Sequence, residues 1–307
     1  MSDHAAAAGD SRRPRSPLWA LVRRQPAAAG GALVLALFVL VAALAPVITP
    51  YGEREKVGEG FASPSWAHPF GLDDGGVDML TLVLWGARVS LIVGFAAALV
   101  AMVIGGAVGI LSGYFGGKVD TLLNGLTNYT YAIPDIPLIL VIAAIWGRSL
   151  TNIILIIGVI YWASAARLVR SEVKSLRERV YVKRAQALGA GHARIILRHI
   201  LPQVAPLLIA LTVLQMAYAI FLETSIAFRG LGDPSLTSWG KLIQNGFEAN
   251  AITAGAWWAL VPPGVTVVIV VLACTMLGRT IEDAMNPRLR VGHVSVRRFR
   301  TRTAPPR

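Results

Sequence analysis

Long runs of apolar residues, separated by short polar stretches, dominate this chain. A helix rises about 1.5 Å per residue, so about 20 apolar residues cross the roughly 30 Å hydrocarbon core of a bilayer. Six runs meet or approach that length: 27–48, 89–112, 122–146, 152–166, 204–222 and 257–277. The fourth is short, but the uncharged stretch around it extends over 149–166. The third contains "IPDIP", residues 133–137, in which two prolines frame Asp135. Prolines at membrane depth bend a helix and free backbone groups that neighbours or water must satisfy. No internal repeat of solenoid period is visible.

The pattern predicts an all-α integral membrane protein with six transmembrane helices. Composition agrees, with 55% hydrophobic and only 15% charged residues, against about 25% charged in soluble domains. The chain divides into a basic N-terminal tail (1–26), a first span (27–48), an external loop (49–87), a core of spans (88–280) that includes a loop at 167–202, and a basic C-terminal tail (281–307). The first run is read as a retained span, because it is longer than the apolar region of a signal peptide.

Charge orients these spans. The N-terminal tail carries five arginines against two aspartates, and 167–201 carries nine Lys/Arg against Glu172 and Glu178. From Arg279 onward eight arginines face Glu282 and Asp283, whereas the loop 49–87 holds six acids and two bases. Lys and Arg near span ends stay in the cytoplasm. Six spans with both termini cytoplasmic put every basic segment inside and the acidic loop outside. The formal net charge of +12 is therefore a topology signal with some attraction to anionic lipid. The C-terminal "SVRRFRTRTAPPR" has little of the aromatic interleaving of a nucleic-acid surface, so no nucleic-acid partner is expected.

No engine is visible. The five histidines (His4, His68, His192, His199, His293) are scattered without metal-ligand spacing. The single cysteine, Cys274, lies in an apolar run with no metal partner nearby. "SGYFGGKVD" fails as a phosphate loop, with Ser112 at the first glycine position and Val119 where Ser or Thr must follow the lysine. Neither catalytic residues nor a metal or cofactor site is expected in this chain; energy for any work comes from another molecule.

Between the fourth and fifth spans lies "KRAQALGAGHARIILRHILP", residues 183–202. From Glu172 onward, Val173, Leu176, Val180 and Ala187 fall near one helical face, with Lys174, Arg177, Glu178, Arg179, Lys183 and Arg184 between them. Gly189 reads as a left-handed cap ending that helix. A second short helix follows, with Ile195, Ile196, His199 and Ile200 clustered, and Pro202 stands where a first-turn proline is tolerated. Two physical readings compete. One is an interfacial helix lying on the bilayer. The other is a helix–turn–helix knuckle offered to a partner's groove, its small residues Ala185, Gly189 and Ala190 permitting close approach.

The stretch resembles the cytoplasmic "EAA" loop of binding-protein-dependent ABC importer permeases, with Ala185 at the third motif position, Gly189 at the glycine and "HILP" (His199 to Pro202) at the ending. "HPFGLDDGGVDMLTLVLWGARVSL", "YWASAARLVRSEVKSL", "SWGKLIQNG" and "EDAMNPRLR" are similar, in order, to further segments of the dipeptide/oligopeptide/nickel branch, best matching its second, C-type permease. The resemblance implies a type I ABC-importer permease core (MetI-like) in the bacterial inner membrane. It implies a homologous permease as heterodimer partner, two ATPase subunits carrying ATP and Mg, and an external binding protein delivering peptides or a related solute (nickel, glutathione-like). Lys183, Arg184, Ala185, Gly189, Ala190, His199 and Pro202 become the ATPase-coupling residues. The family's glutamate is replaced by Lys183 and its first alanine by Arg184. A compensating acidic ATPase surface, or a contact made by packing at Ala185 and Gly189, is then expected.

Ionisable residues within spans default to functional roles. Asp135 either caps a broken helix or lines a watery path. Glu223, at the end of the fifth span, is a gate residue, an interfacial carboxylate or a helix-packing partner. Arg229 in "AFRGLG" either snorkels to the outer interface or faces the translocation path. The rival class is a proton-coupled secondary transporter, which calls for inverted repeats and a midplane proton relay.

Overall fold

The computed structural model describes residues 26–285. The basic tails read at 1–26 and 281–307 lie, apart from their inner ends, outside the described residues, as does most of the closing "EDAMNPRLR".

Ten helices make up the described chain: α1 Pro26–Ile48, α2 Met79–Phe115, α3 Gly117–Ala132, α4 Asp135–Trp146, α5 Leu150–Arg177, α6 Val180–Ala187, α7 His192–Ile195, α8 Leu201–Phe228, α9 Trp239–Glu248 and α10 Val261–Met285. A π-helical turn, Ile196–Ile200, joins α7 to α8, and a 3₁₀ turn, Trp257–Ala259, precedes α10. Five helical stretches are long and apolar enough to cross a membrane; the bent pair α3–α4 makes a sixth. The apolar runs thus become spans because each can satisfy its backbone only within itself.

Observed boundaries differ from the expected ones in several places: the fifth span runs over 201–228 rather than 204–222, which puts Glu223 inside the helix, and the sixth over 261–285 rather than 257–277. The second span begins not at residue 89 but at Met79, because Asp78 caps it: its carboxylate accepts from Thr81 N at 2.8 Å. The loop expected to be external is correspondingly shorter, 49–78 rather than 49–87. The third run is not one rod. It breaks at Ile133 and Pro134, and its halves diverge by 84°. The fourth span continues far past residue 166, to Arg177. The amphipathic helix expected from Glu172 to Gly189 is in fact two. Arg179 adopts extended backbone, which shifts the helical phase. Val173, Leu176 and Val182 face the core, whereas Val180 is 65% exposed and Ala187 is also exposed.

The α2–α5 pair forms the centre. Gly105, Gly109 and Gly113 stand one turn apart along α2; a Cβ on them would come within 2.4, 2.7 and 2.8 Å of the carbonyls of Trp162, Ala166 and Arg170. Only glycine permits so close a crossing. Around this pair, α8 packs on α2, and α1 joins through Gly31, whose missing side chain makes room for Ala273 O of α10.

At one end of the bundle the 49–78 loop and the 229–259 segment fold on each other. Arg54 Nη2 donates to Ser235 O (2.6 Å), Thr237 Oγ1 to Glu53 Oε1 (2.6 Å) and Trp258 Nε1 to Leu72 O (3.1 Å). Helix α9 within this cap drives the fully buried Trp239 between the spans, where its Nε1 donates to Val83 O at 3.0 Å and its ring meets Phe38 edge-on. The α6–α7 segment lies at the opposite end. The start of α1 and the end of α10 lie at that same end.

Candidate functional site

The segment from Glu178 to Pro202 forms a helix–turn–helix knuckle, α6 and α7 joined by a turn at Gly189. Its base is apolar. Val182, Ile195 and Ile200 are fully buried in one continuous core with Ile110 and Tyr114 of α2, Val169, Val173 and Leu176 of α5, and Val204 of α8. The Tyr114 hydroxyl and His192 Nδ1 are 3.0 Å apart, a hydrogen bond joining the end of α2 to the start of α7. The two spans that enter the knuckle, α5 and α8, and the neighbouring α2 are thus all gripped at its base.

Its tip is small and bare. Gly189 has φ +79°, the left-handed cap expected, and open space where a Cβ would stand. Leu188 beside it is 88% exposed. Ala185 and Ala190 are half-buried supports under the turn, packed against the knuckle's core. Lys183 Nζ lies 2.6 Å from Glu178 Oε2, so the cation in the family's glutamate position is already paired within the knuckle. The bond to Lys183 holds the Glu178 carboxyl below its ordinary value. Arg184 is exposed. The His199 ring stacks on Tyr181 at 6.4 Å, and its buried Nδ1 has no hydrogen-bond partner among the described residues. Pro202 sits in the first turn of α8, where the missing N–H costs nothing. The seven residues expected for coupling all lie in this segment, and the expectation did not include Leu188. The only signal was an apolar side chain off the helical stripe and next to the cap glycine.

Just above the knuckle, Asp120 fastens α3 to α5. Arg170 donates to both its oxygens (Nε at 2.5 Å, Nη2 at 2.9 Å), Lys174 Nζ is at 2.7 Å, and Ser112 Oγ donates at 2.6 Å. This clamp was also missed; its members lie far apart in sequence.

A second feature opens at the α3–α4 break. A cleft of about 490 Å³ is lined by Thr130, Tyr131, Pro134, Asp135, Tyr161, Ser164, Gln215 and Tyr218, among others. Asp135 accepts from the Tyr161 hydroxyl and, as first residue of α4, from Ile136 N at 2.8 Å. Gln215 Nε2 donates to Ser164 Oγ at 2.8 Å. Of the three ionisable candidates, only Asp135 is here. Glu223 is buried between α2 and α8, where Ser90 Oγ donates to it at 3.2 Å and accepts from Trp239 N at 3.3 Å. That is the geometry of the helix-packing reading. Arg229 is exposed at the end of α8 and folds back on it, Nη1 donating to Ser225 O at 2.9 Å.

The described residues form a bundle of apolar helices with a knuckle at one end and a cleft at the α3–α4 break, and sequence comparison assigns the class. The chain belongs to the family of binding-protein-dependent transport system inner membrane components, whose pattern matches residues 105–291. Residues 16–59 match the N-terminal TM domain of oligopeptide transport permease C. A peptide transport system permease relative from Brucella suis is 38% identical over 264 residues, covering 85% of this chain and 88% of that protein. The dipeptide transport system permease protein of Alkalihalophilus pseudofirmus is 34% identical over 264 residues, 85% of each chain. The oligopeptide transport system permease protein of Escherichia coli is 35% identical over 280 residues, 88% of this chain and 91% of that protein. The protein is therefore a C-type permease subunit of an ABC importer, a multi-pass protein of the bacterial inner membrane. Such permeases perform no covalent chemistry and work with ATPase and binding-protein partners. The proton-coupled secondary transporter is not favoured.

Proposed function

We propose that this permease forms half of a translocation path for di- and oligopeptides, paired with a homologous permease and driven by two ATPase subunits that bind ATP and Mg. The names of its relatives support peptides as the solute. The knuckle end faces the cytoplasm, with both termini, and the 49–78 and 229–259 cap faces the external binding protein. The basic excess of 167–201 supports this orientation.

The observation that carries the reading is the continuous core from the knuckle base into α2, α5 and α8. A displacement imposed at Leu188 and Gly189 reaches the α5 and α8 residues that wall the cleft. ATP-driven closure of the ATPase pair then biases two arrangements of the spans by differential affinity.

Purification from native membranes in mild detergent, with mass identification, tests the assembly. A second permease and one or two ATPases are expected, and the reconstituted complex with its binding protein takes up trialanine only with ATP. A reproducible lone chain or homodimer, or a complete complex that hydrolyses ATP without moving peptide, overturns the proposal.

A further inference from the structure

The cleft at the α3–α4 break has a lopsided chemistry. Its one charged lining group is the Asp135 carboxylate. Among the described residues no Lys, Arg or His stands within ion-pair distance of it. Arg167, whose partner Tyr131 borders the cleft, is engaged there: its guanidinium lies over the Tyr131 ring, 4.2 Å from the centroid, and reaches toward Asn128. Three tyrosines border the same space. Tyr161 donates its hydroxyl to Asp135, and its ring leans on Tyr218 at 5.5 Å. Gln215 uses its Nε2 on Ser164 and Tyr161 O, so its Oε1 remains as a further acceptor.

A carboxylate, an amide oxygen and aromatic faces together recognise a cation that donates hydrogen bonds. An ammonium group carries three donors and no acceptor, and aromatic faces attract it further. A carboxylate end would meet Asp135 as a like charge. A divalent metal would need more ligands than one carboxylate among tyrosines.

We infer that this cleft is an ammonium-binding station on the translocation path, with Asp135 as the counter-charge and Tyr161 and Tyr218 as its walls. The inference rests on the peptide reading above, and it makes the free amino end of the solute the end this subunit holds. Tyr161 acts as a positioning residue, fixing the carboxylate through its hydroxyl.

The test uses the complete transporter in proteoliposomes, with trialanine and N-acetyl-trialanine as probes. Uptake is normalised to the binding protein's separately measured affinity for each. The wild type prefers the free amine. Asp135→Asn abolishes the preference, lowering trialanine uptake by roughly tenfold relative to uptake of the acetylated peptide by the same variant. Asp135→Glu restores part of it. A preference that is absent in the wild type, or that survives Asp135→Asn, overturns the inference and leaves the peptide reading intact. So does loss of the second permease from the purified Asp135→Asn complex, since the carboxylate would then be pairing with a cation across the subunit interface. If the wild-type complex hydrolyses ATP but moves neither probe, the peptide reading falls and takes the inference with it.

Discussion

Lys183 Nζ sits 2.6 Å from Glu178 Oε2, across the extended residue that separates α5 from α6. The cation that departs from the family's motif is therefore balanced inside the same loop. Lys183→Glu would set two carboxylates face to face and weaken ATPase binding. The swapped pair Lys183→Glu with Glu178→Lys should recover it. Co-purification of the ATPase subunits measures both. Tighter ATPase binding and faster coupled transport in Lys183→Glu alone would show that the loop wants a carboxylate there.

The same pair sets a pH window. Lys183 lowers the Glu178 carboxyl below its ordinary 4.5. A depressed folded value means that the pair's contribution is complete above the unfolded value and is lost only as pH falls through the lower, folded one. ATPase association of the wild type should therefore stay flat from neutral pH down to about 5 as far as this pair is concerned. Any difference between wild type and Glu178→Gln should persist across that range and shrink only in stronger acid. A difference that vanishes between pH 7 and 6 would point to another group.

The knuckle's tip offers Leu188 as its most exposed apolar side chain. Buried anchors carry most of an interface's free energy, so Leu188→Asp should weaken ATPase binding by about tenfold or more. Melting of the isolated permease should not change, because nothing in the core depends on that side chain. Equal ATPase binding would move the anchor to Val180 or Leu197, which are also exposed.

Gly105→Ala should destabilise the permease by about 1–3 kcal/mol, the usual consequence of overpacking, because the new Cβ would lie 2.4 Å from Trp162 O. Gly125→Ala, inside α3 with open space around it, should be neutral or gain up to about 1 kcal/mol of helix propensity. Thermal unfolding in detergent separates the two, and equal effects would contradict the close α2–α5 crossing.

Asp120→Asn and Arg170→Gln should each loosen α3 from α5. Since they break one clamp, the double variant should lose little more than either single one. Additive losses in melting temperature would show that the two side chains act separately.

Much of this was legible in the sequence, and the failures have definite causes. Hydropathy found all six spans because lipid leaves the backbone no alternative to helix. The glycine stripe at 105, 109 and 113 went unread, since it shows which helices cross closely only once α5 supplies the opposing carbonyls. Pro134 and Pro137 announced a bend, but not its angle of 84°. The apolar stripe through Val180 misled because 3.6-residue spacing continued on paper across a kink, while in space Val182 took the buried place. Coupling residues were grouped by their resemblance to a motif. The Lys183–Glu178 pair escaped, since a spacing of five meets only where the helix is interrupted. Trp239 gave no hint that a helix outside the spans would wedge it among them.

Helix α2 runs unbroken for 37 residues, about 55 Å at 1.5 Å per residue, well beyond the roughly 30 Å of hydrocarbon. Its first turn is tied into the cap, where Asp78 meets His68 at 3.0 Å, and its last into the knuckle, where Tyr114 meets His192. Glycines clasp it to α5 along the half nearer the knuckle. In the assembly proposed above, with the binding protein at the cap and the ATPases at the knuckle, this single stiff member would serve as a pushrod, carrying news of the cargo to the motor without passing through the cargo's own route.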